Sequence, residues 1–366
     1  MRSLAVVGGG VIGLSVAWRA AESGWSVTVF DPAAGSGASW VAGGMLAPLS
    51  EGWPGEEEPL DFGAASLARW PEFAARIRAA TGVSVVVADE TLTVALDAAD
   101  AADLRTIADF VTARGHEMRL LDRPGVRACE PDLARTVRAG LLAPAEPAVD
   151  NRLLVESLRR CCEQAGVHIR ATAVAAVDDL DHDRIVLATG AAAAQLWPGL
   201  PVRPVKGEIL RLRHRPGAPP PPRRVIRARV HGRPLYLVPR ANGIVVGATQ
   251  YESGFDTAVT VAGVRDLIAD AEAVLPALGE YELQEASAGS RPGTPDNLPL
   301  IGRVSDRVIV ATGHGRNGIL GVPITVDTVD ALLSGDVLAE AKAADPHRFS
   351  EVSENAGAPT PSGGSR

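Results

Sequence analysis

The sequence predicts an α/β fold of the α+β two-domain type, one domain built on a nucleotide-binding β-α-β unit and the other on a discontinuous antiparallel sheet. Three observations predict it. A glycine-rich turn, GGGVIG at 8–13, joins a short apolar strand to a helix at the start of the chain. Two further strand-to-glycine segments, RIVLATG at 184–190 and RVIVATG at 307–313, lie much later. Strand-rich stretches fall between these nucleotide-like pieces, so each domain is assembled from separated segments. The expected division gives 1–82, 145–203 and 286–340 to the nucleotide domain and 83–144 and 204–285 to the second. No internal repeat is present.

The elements follow in order. Residues 4–7 read as a short buried strand, and 14–23 as a helix closed by Gly24. Residues 25–30 alternate as a second strand ending at Asp31. Residues 36–48 are small and glycine-rich, and 51–59 (EGWPGEEEP) form an acidic, proline-bearing loop, read as a solvated surface loop with an active-site cover as the alternative. Leu67, Trp70, Phe73 and Ile77 recur at helical spacing within 60–80. Strands are expected over 83–95, 167–170, 184–187, 205–212, 225–230, 234–238, 243–248, 283–287 and 307–312. Helices are expected over 100–114, 152–164, 261–275 and 324–334. The GAPPPP run at 217–222 must be a loop, because proline cannot join a central ladder. Residues 353–366, rich in Ser, Gly, Pro and Ala, read as a disordered tail.

Composition narrows the function classes. A chain of 366 residues can bury two sizeable cores. Its net charge of −8 gives no electrostatic footprint for nucleic acid. Only Lys206 and Lys342 are lysines; the remaining basic residues are arginines, which suit carboxylate and phosphate forks. Cys129, Cys161 and Cys162 lack metal spacing and read as reduced thiols of a cytoplasmic protein. The apolar run at 4–18 resembles a signal-peptide core, but three glycines interrupt it and no clean small-x-small site follows. No other apolar run reaches about 18 residues, so no membrane span is expected.

The first motif sets the cofactor class. Gly8, Gly10 and Gly13 give G-x-G-x-x-G after a strand and before a helix, with Val11 and Ile12 between them. Gly8 permits the tight turn, Gly10 admits a pyrophosphate against the backbone, and Gly13 lets helix pack on strand. The helix N-terminus then offers free N–H groups and a positive dipole end. Asp31, 18 residues after Gly13 and followed by Pro32, stands where a carboxylate accepts the ribose hydroxyls and disfavours a 2′-phosphate.

Later segments favour a flavin over a nicotinamide. Ala38, Ser39, Gly43, Gly44 and Met45 belong to a small-residue run that lets backbone approach a flat ring, although a flexible loop has the same composition. Gly190 closes the middle strand. His314, Gly315, Arg316, Asn317, Gly318, Ile319 and Leu320 run toward the last helix, whose N-terminus would stabilise negative charge on a reduced flavin ring. A plain strand-to-helix connection is the alternative.

These residues resemble a known family. GGGVIG, GGML at 43–46, PVKGE at 204–208, YLVPR at 236–240, VVGAT at 245–249, SRPGTPDNLPLIG at 290–302 and GHGRNGI at 313–319 occur in order. The ordered set resembles the D-amino-acid oxidase and sarcosine oxidase superfamily, and within it the bacterial glycine oxidases of thiamine biosynthesis. The resemblance implies a Rossmann-like FAD domain of three-layer ββα architecture beneath an antiparallel substrate domain. It implies non-covalent FAD, a small amino acid such as glycine as substrate, O₂ as oxidant, and an imine plus hydrogen peroxide as products. A homotetramer and a hand-off to a thiazole synthase are implied in the same way. Arg291 matches the carboxylate-binding arginine and Tyr236 an active-site tyrosine. Arg316 lies in the flavin-contacting motif and is a further substrate-binding candidate. Val174 matches a backbone contact on the adenine side.

On this reading Arg291 forks the substrate carboxylate and Tyr236 donates a hydrogen bond beside it. The amine reacts neutral, and no His/Asp dyad is required. Plainer roles exist for each residue. Arg291 could brace a surface turn, Tyr236 could be a core tyrosine, and His314 could be a packed histidine. Lys206 could serve flavin or oxygen, or form a surface ion pair. The competing functions are a D-amino-acid or sarcosine oxidase, a dehydrogenase feeding a quinone, and a flavin protein without catalysis.

Overall fold

The first strand, Ser3–Val7, has no charged residue and no polar one after Ser3, and it lies inside a six-stranded sheet. In this computed structural model, which describes residues 2–349, the sheet order is Leu300–Arg303, Val308–Thr312, Arg184–Leu187, Ser3–Val7, Ser26–Phe30 and His168–Arg170. Every pair is parallel except the first. Strand alternation sends Leu4, Val6, Val27, Val29 and Val186 into one core and Ala5, Val7, Phe30, Ile185 and Leu187 into another. A sheet buried on both faces reads as continuous apolar strands, which is why these were legible.

Helices Val11–Glu22, Asn151–Gln164 and Val322–Ser334 pack together over the first of these cores. Asp150 caps the middle one, accepting from the N–H groups of Arg152 (2.9 Å) and Leu153 (3.2 Å). Cys161 and Cys162 are buried at this packing, and burial pushes their thiols up to about 11 and about 12. Glu57–Thr81 is a 25-residue helix ended by Gly82 in the left-handed region.

The second sheet has eight strands, ordered Glu282–Gly293, Arg203–Arg213, Gly243–Gly247, Arg233–Arg240, Val225–Val230, Thr91–Ala95, Ala139–Ala143 and Arg119–Asp122. One face packs on helix Val261–Val274 through Leu210, Ile226, Leu235, Leu237 and Val246. The sheet is antiparallel, as expected, except at one pair: Val225–Val230 runs parallel to Thr91–Ala95. Those strands are far apart in the chain, so no hairpin fixes their relative direction.

Other departures have local causes. Strand Glu282–Gly293 continues six residues past its expected end and pairs with Arg203–Arg213 along its length. Its last eight residues, ASAGSRPG, are mostly small and include a proline, which an edge strand tolerates. The expected domain boundary at 286 therefore cuts through a strand. Residues 115–143 hold two strands and the helix Arg123–Cys129, which had no assignment from sequence. That helix has only seven residues, with Asp122 accepting from Gly125 N at 2.9 Å and Pro124 in its first turn. The tail at 353–366, expected to be disordered, lies outside the described residues.

Candidate active site

A cavity of about 750 Å³ runs from the glycine turn to the polar face of the eight-stranded sheet. Its first end is the β-α-β turn. Gly8 has φ +106°, and a Cβ there would sit 2.6 Å from the carbonyl carbon of Ala188. Gly13 touches the backbone of Gly8 and packs helix against strand; it does not line the cavity. Helix Val11–Glu22 begins at this wall with no acidic residue in its first turn, so its dipole is free to meet phosphate. Gly8, Gly10, Val11 and Ile12 line the cavity, as do Asp31 and Pro32. Asp31 is held by Gly9 N (2.6 Å) and Ala33 N (2.8 Å). Val174 and Gly190 stand on the same wall.

The small-residue run forms the adjoining wall. Ala38, Ser39, Gly43, Gly44 and Met45 all line it. Ser39 has a definite task, its Oγ accepting from Val11 N at 3.1 Å. From the C-terminal motif, the stretch 314–319 lines the cavity, whereas Leu320 is buried behind it. The Leu320 carbonyl accepts from Ser66 Oγ (2.6 Å) and Trp70 Nε1 (2.9 Å), which fixes the turn.

His314 is a packed histidine whose edge reaches the wall. Burial lowers it to about 3, so it is neutral. The single hydroxyl proton of Thr325 goes to Gly321 O (2.6 Å), so His314 Nε2 must be the donor to Thr325 Oγ1 (2.9 Å).

The far end is built by sheet register. Arg227 pairs with Tyr236, Tyr236 with Gly247, and Gly247 with Ile209, so these residues share one face. Arg291 pairs with Val205, two residues from Gly207 on that face. Glycine makes room for both functional side chains. A Cβ on Gly43 would meet the Tyr236 ring at 2.9 Å, and one on Gly247 would meet it at 2.6 Å. Arg291 Nη1 donates to the Thr249 carbonyl at 3.3 Å, the guanidinium neighbours the Tyr236 hydroxyl, and no ion pair reaches it among the described residues. Burial raises the Tyr236 phenol, against the pull of the neighbouring Arg291 guanidinium. The phenol is therefore protonated and able to donate.

Arg316 is differently employed. Its guanidinium pairs with Glu51, which also accepts from Arg227 at 2.6 Å, while Arg227 donates to Ser50 Oγ at 2.8 Å. Burial works to raise the Glu51 carboxyl, but Arg227 and Arg316 outweigh it and hold the group below its ordinary value. Glu51 opens the segment read from sequence as a solvated loop, yet its side chain is only 12% exposed and lines the cavity. Lys206 is a buried cation paired with the exposed Asp256 at 2.7 Å and with the buried Glu208 at 3.6 Å, and it lies off the cavity wall.

Sequence reasoning missed Glu51, Arg227, Arg240 and Asn151. Asn151 Nδ2 donates to the carbonyls of Ser39 (2.9 Å) and Trp40 (2.8 Å). Arg240 donates to Gly43 O (2.8 Å) and pairs with Asp150 (3.3 Å); burial lowers it to about 10. These groups hold the small-residue wall against the sheet. Strand alternation was the available signal: Tyr236 and Arg240, four apart, must share a face.

A phosphate-accepting helix end, a carboxylate after the second strand and a flat slot bounded by small residues fit FAD. That slot leads to a guanidinium and a phenol. Together they define a flavin-dependent oxidoreductase. The chain belongs to the DAO family of FAD dependent oxidoreductases, whose family model matches residues 3–329. It is 34% identical over 367 residues to the bifunctional protein ThiO/ThiG of Synechocystis sp., covering 94% of this chain and 53% of that one. The chain thus spans about half the length of that relative. It is 31% identical over 346 residues to the glycine oxidase of Geobacillus kaustophilus, covering 88% and 90% of the two chains. The crystal structure of glycine oxidase from that organism superposes with a TM-score of 0.86 at 29% identity, covering 95% of this chain and 99% of the other. No described helix is long and apolar enough to cross a membrane, and no metal-binding cluster occurs among the described residues.

Proposed function

We propose that the chain oxidises glycine to its imine, which water converts to glyoxylate, with O₂ reduced to hydrogen peroxide. One observation carries the reading: Arg291 is a guanidinium without a carboxylate partner among the described residues, beside a protonated phenol, inside an FAD-sized cavity. The names of the relatives, glycine oxidase and ThiO/ThiG, support it.

Arg291 would accept the substrate carboxylate in a bidentate fork, fixing angle as well as position. Tyr236 would donate to the same group. Gly43 and Gly247 restrict the ring of Tyr236, so the hydroxyl is aimed before substrate arrives. FAD, when bound, supplies the two-electron acceptor that O₂ reoxidises. Among the described residues the pocket holds no effective base, because Glu51 is bound by two arginines and burial makes His314 hard to protonate. The substrate amine must therefore lose its proton to solvent before the C–H bond breaks.

The ThiO/ThiG relative joins two functions in one chain, which supports delivery of the imine to a thiazole synthase. The free thiols, two of them buried, fit the reducing conditions of the cytoplasm. A homotetramer belongs to the same proposal, and sedimentation of the FAD-loaded protein tests it. Peroxide release with glycine, sarcosine, D-alanine and D-proline tests the substrate assignment. Glycine should give the highest kcat/KM; a clear preference for D-proline or D-alanine, or turnover with a quinone and not O₂, would overturn it.

A further inference from the structure

Three arginines reach the substrate end of the cavity, but they do not present three charges. Arg227 and Arg316 converge on one carboxylate, Glu51. Glu56 adds a second negative charge near Arg316. The wall formed by these four groups is therefore close to neutral, and among the described residues Arg291 is left as the cation there without a carboxylate partner. We infer that Glu51 is a specificity-determining residue that restricts the pocket to substrates with a single carboxylate.

Register gives the geometry. Arg227 lies directly across from Tyr236 on the same sheet face, and Tyr236 is in turn beside Arg291. A ligand whose first carboxylate sits on Arg291 would extend a second one past Tyr236 toward Arg227. There it meets the Glu51 carboxylate, already buried against that guanidinium and lining the cavity. Like charges at a partly buried wall repel, and Arg227 cannot serve two carboxylates without releasing one. Glycine, with no second acid, is indifferent to the arrangement. Removing the Glu51 charge would turn Arg227 into a second anion site.

This rests on Arg291 receiving the substrate carboxylate, and the test separates the two claims. Acetate and malonate, unreactive mono- and dicarboxylates, are titrated into FAD-loaded protein by calorimetry. Glu51→Gln should tighten malonate relative to acetate by about tenfold or more, and Glu51→Gln/Arg227→Met should abolish the gain. D-Aspartate turnover relative to D-alanine should rise in parallel. Equal shifts of malonate and acetate would overturn the role of Glu51, and a gain that survives loss of Arg227 would overturn the assignment of the second anion site to Arg227. Should Glu51→Gln fail to fold, Arg227→Met alone decides. It leaves the wall more negative, so malonate must weaken several-fold against acetate, and an unchanged ratio refutes the inference. Failure of acetate to bind wild-type protein would refute the Arg291 assignment and this inference with it.

Discussion

Arg291 lies flat across Gly207: a Cβ built on Gly207 would sit 2.5 Å from the guanidinium carbon. The two residues are diagonal neighbours on adjacent antiparallel strands, Glu282–Gly293 and Arg203–Arg213. Gly207→Ala should displace the guanidinium while leaving the cofactor end of the cavity untouched. A displacement near 1 Å in a positioning group can cost about 100-fold. The expected result is a higher KM for glycine, with kcat less affected and the flavin spectrum retained. Wild-type kinetics in this variant would show that Arg291 does not hold substrate.

Arg291→Ala removes the carboxylate partner outright. Losing a buried charge partner costs about 2–5 kcal/mol, so kcat/KM for glycine should fall by roughly 30- to several-thousand-fold. FAD affinity should not change, which separates this variant from one that merely misfolds.

Tyr236→Phe keeps the ring between Gly43 and Gly247 but loses the hydroxyl. A hydrogen bond to a charged group contributes about 1.5–3 kcal/mol, so kcat/KM should drop by roughly 10- to 150-fold. The same variant with full activity would make Tyr236 a packing residue only.

Gly8→Ala addresses the cofactor end. The residue sits at φ +106°, and its new Cβ would press on Ala188. The protein should purify without FAD or with an affinity too weak to survive gel filtration. A yellow, fully loaded Gly8→Ala protein would place the cofactor elsewhere.

Glu146 links stability to pH. It is fully buried, its Oε1 accepting from the N–H groups of Leu49 and Ser50 (2.8 Å to the latter). Burial raises it from 4.5 to about 7, partly offset by Ser50, Arg227 and Leu49. A carboxyl whose folded pKa lies above its unfolded one contributes most below the unfolded value. That contribution is lost as pH rises through the folded value. The Tm of Glu146→Gln relative to wild type should therefore increase between about pH 4.5 and about pH 7, then level off. A difference that stays flat across that window would contradict the buried, protonated state.

The nucleotide half was legible because its signals are local. Glycine spacing, two-sided burial of Leu4–Val7 and an acid after the second strand all lie within one short stretch. The far end was legible only in part. Arg291 and Tyr236 came from the resemblance, whereas Glu51 and Arg227 emerge when a loop, a strand and the turn holding Arg316 meet in space. No spacing in the chain encodes that meeting. The loop at 51–59 looked solvated because it carries four acids, and three-dimensional pairing alone distinguishes Glu51 from the others. The extension of strand Glu282–Gly293 was hidden by small residues, whose place in a sheet comes from the partner strand.

The most direct measurement is the absorption spectrum of the FAD-loaded protein before and after glycine is added without oxygen. The account predicts that glycine abolishes the oxidised flavin band in wild type, that the same concentration leaves Arg291→Ala coloured, and that admitting O₂ restores the band with release of peroxide. A flavin band that glycine leaves unchanged in wild type, or that bleaches equally in both proteins, would contradict it.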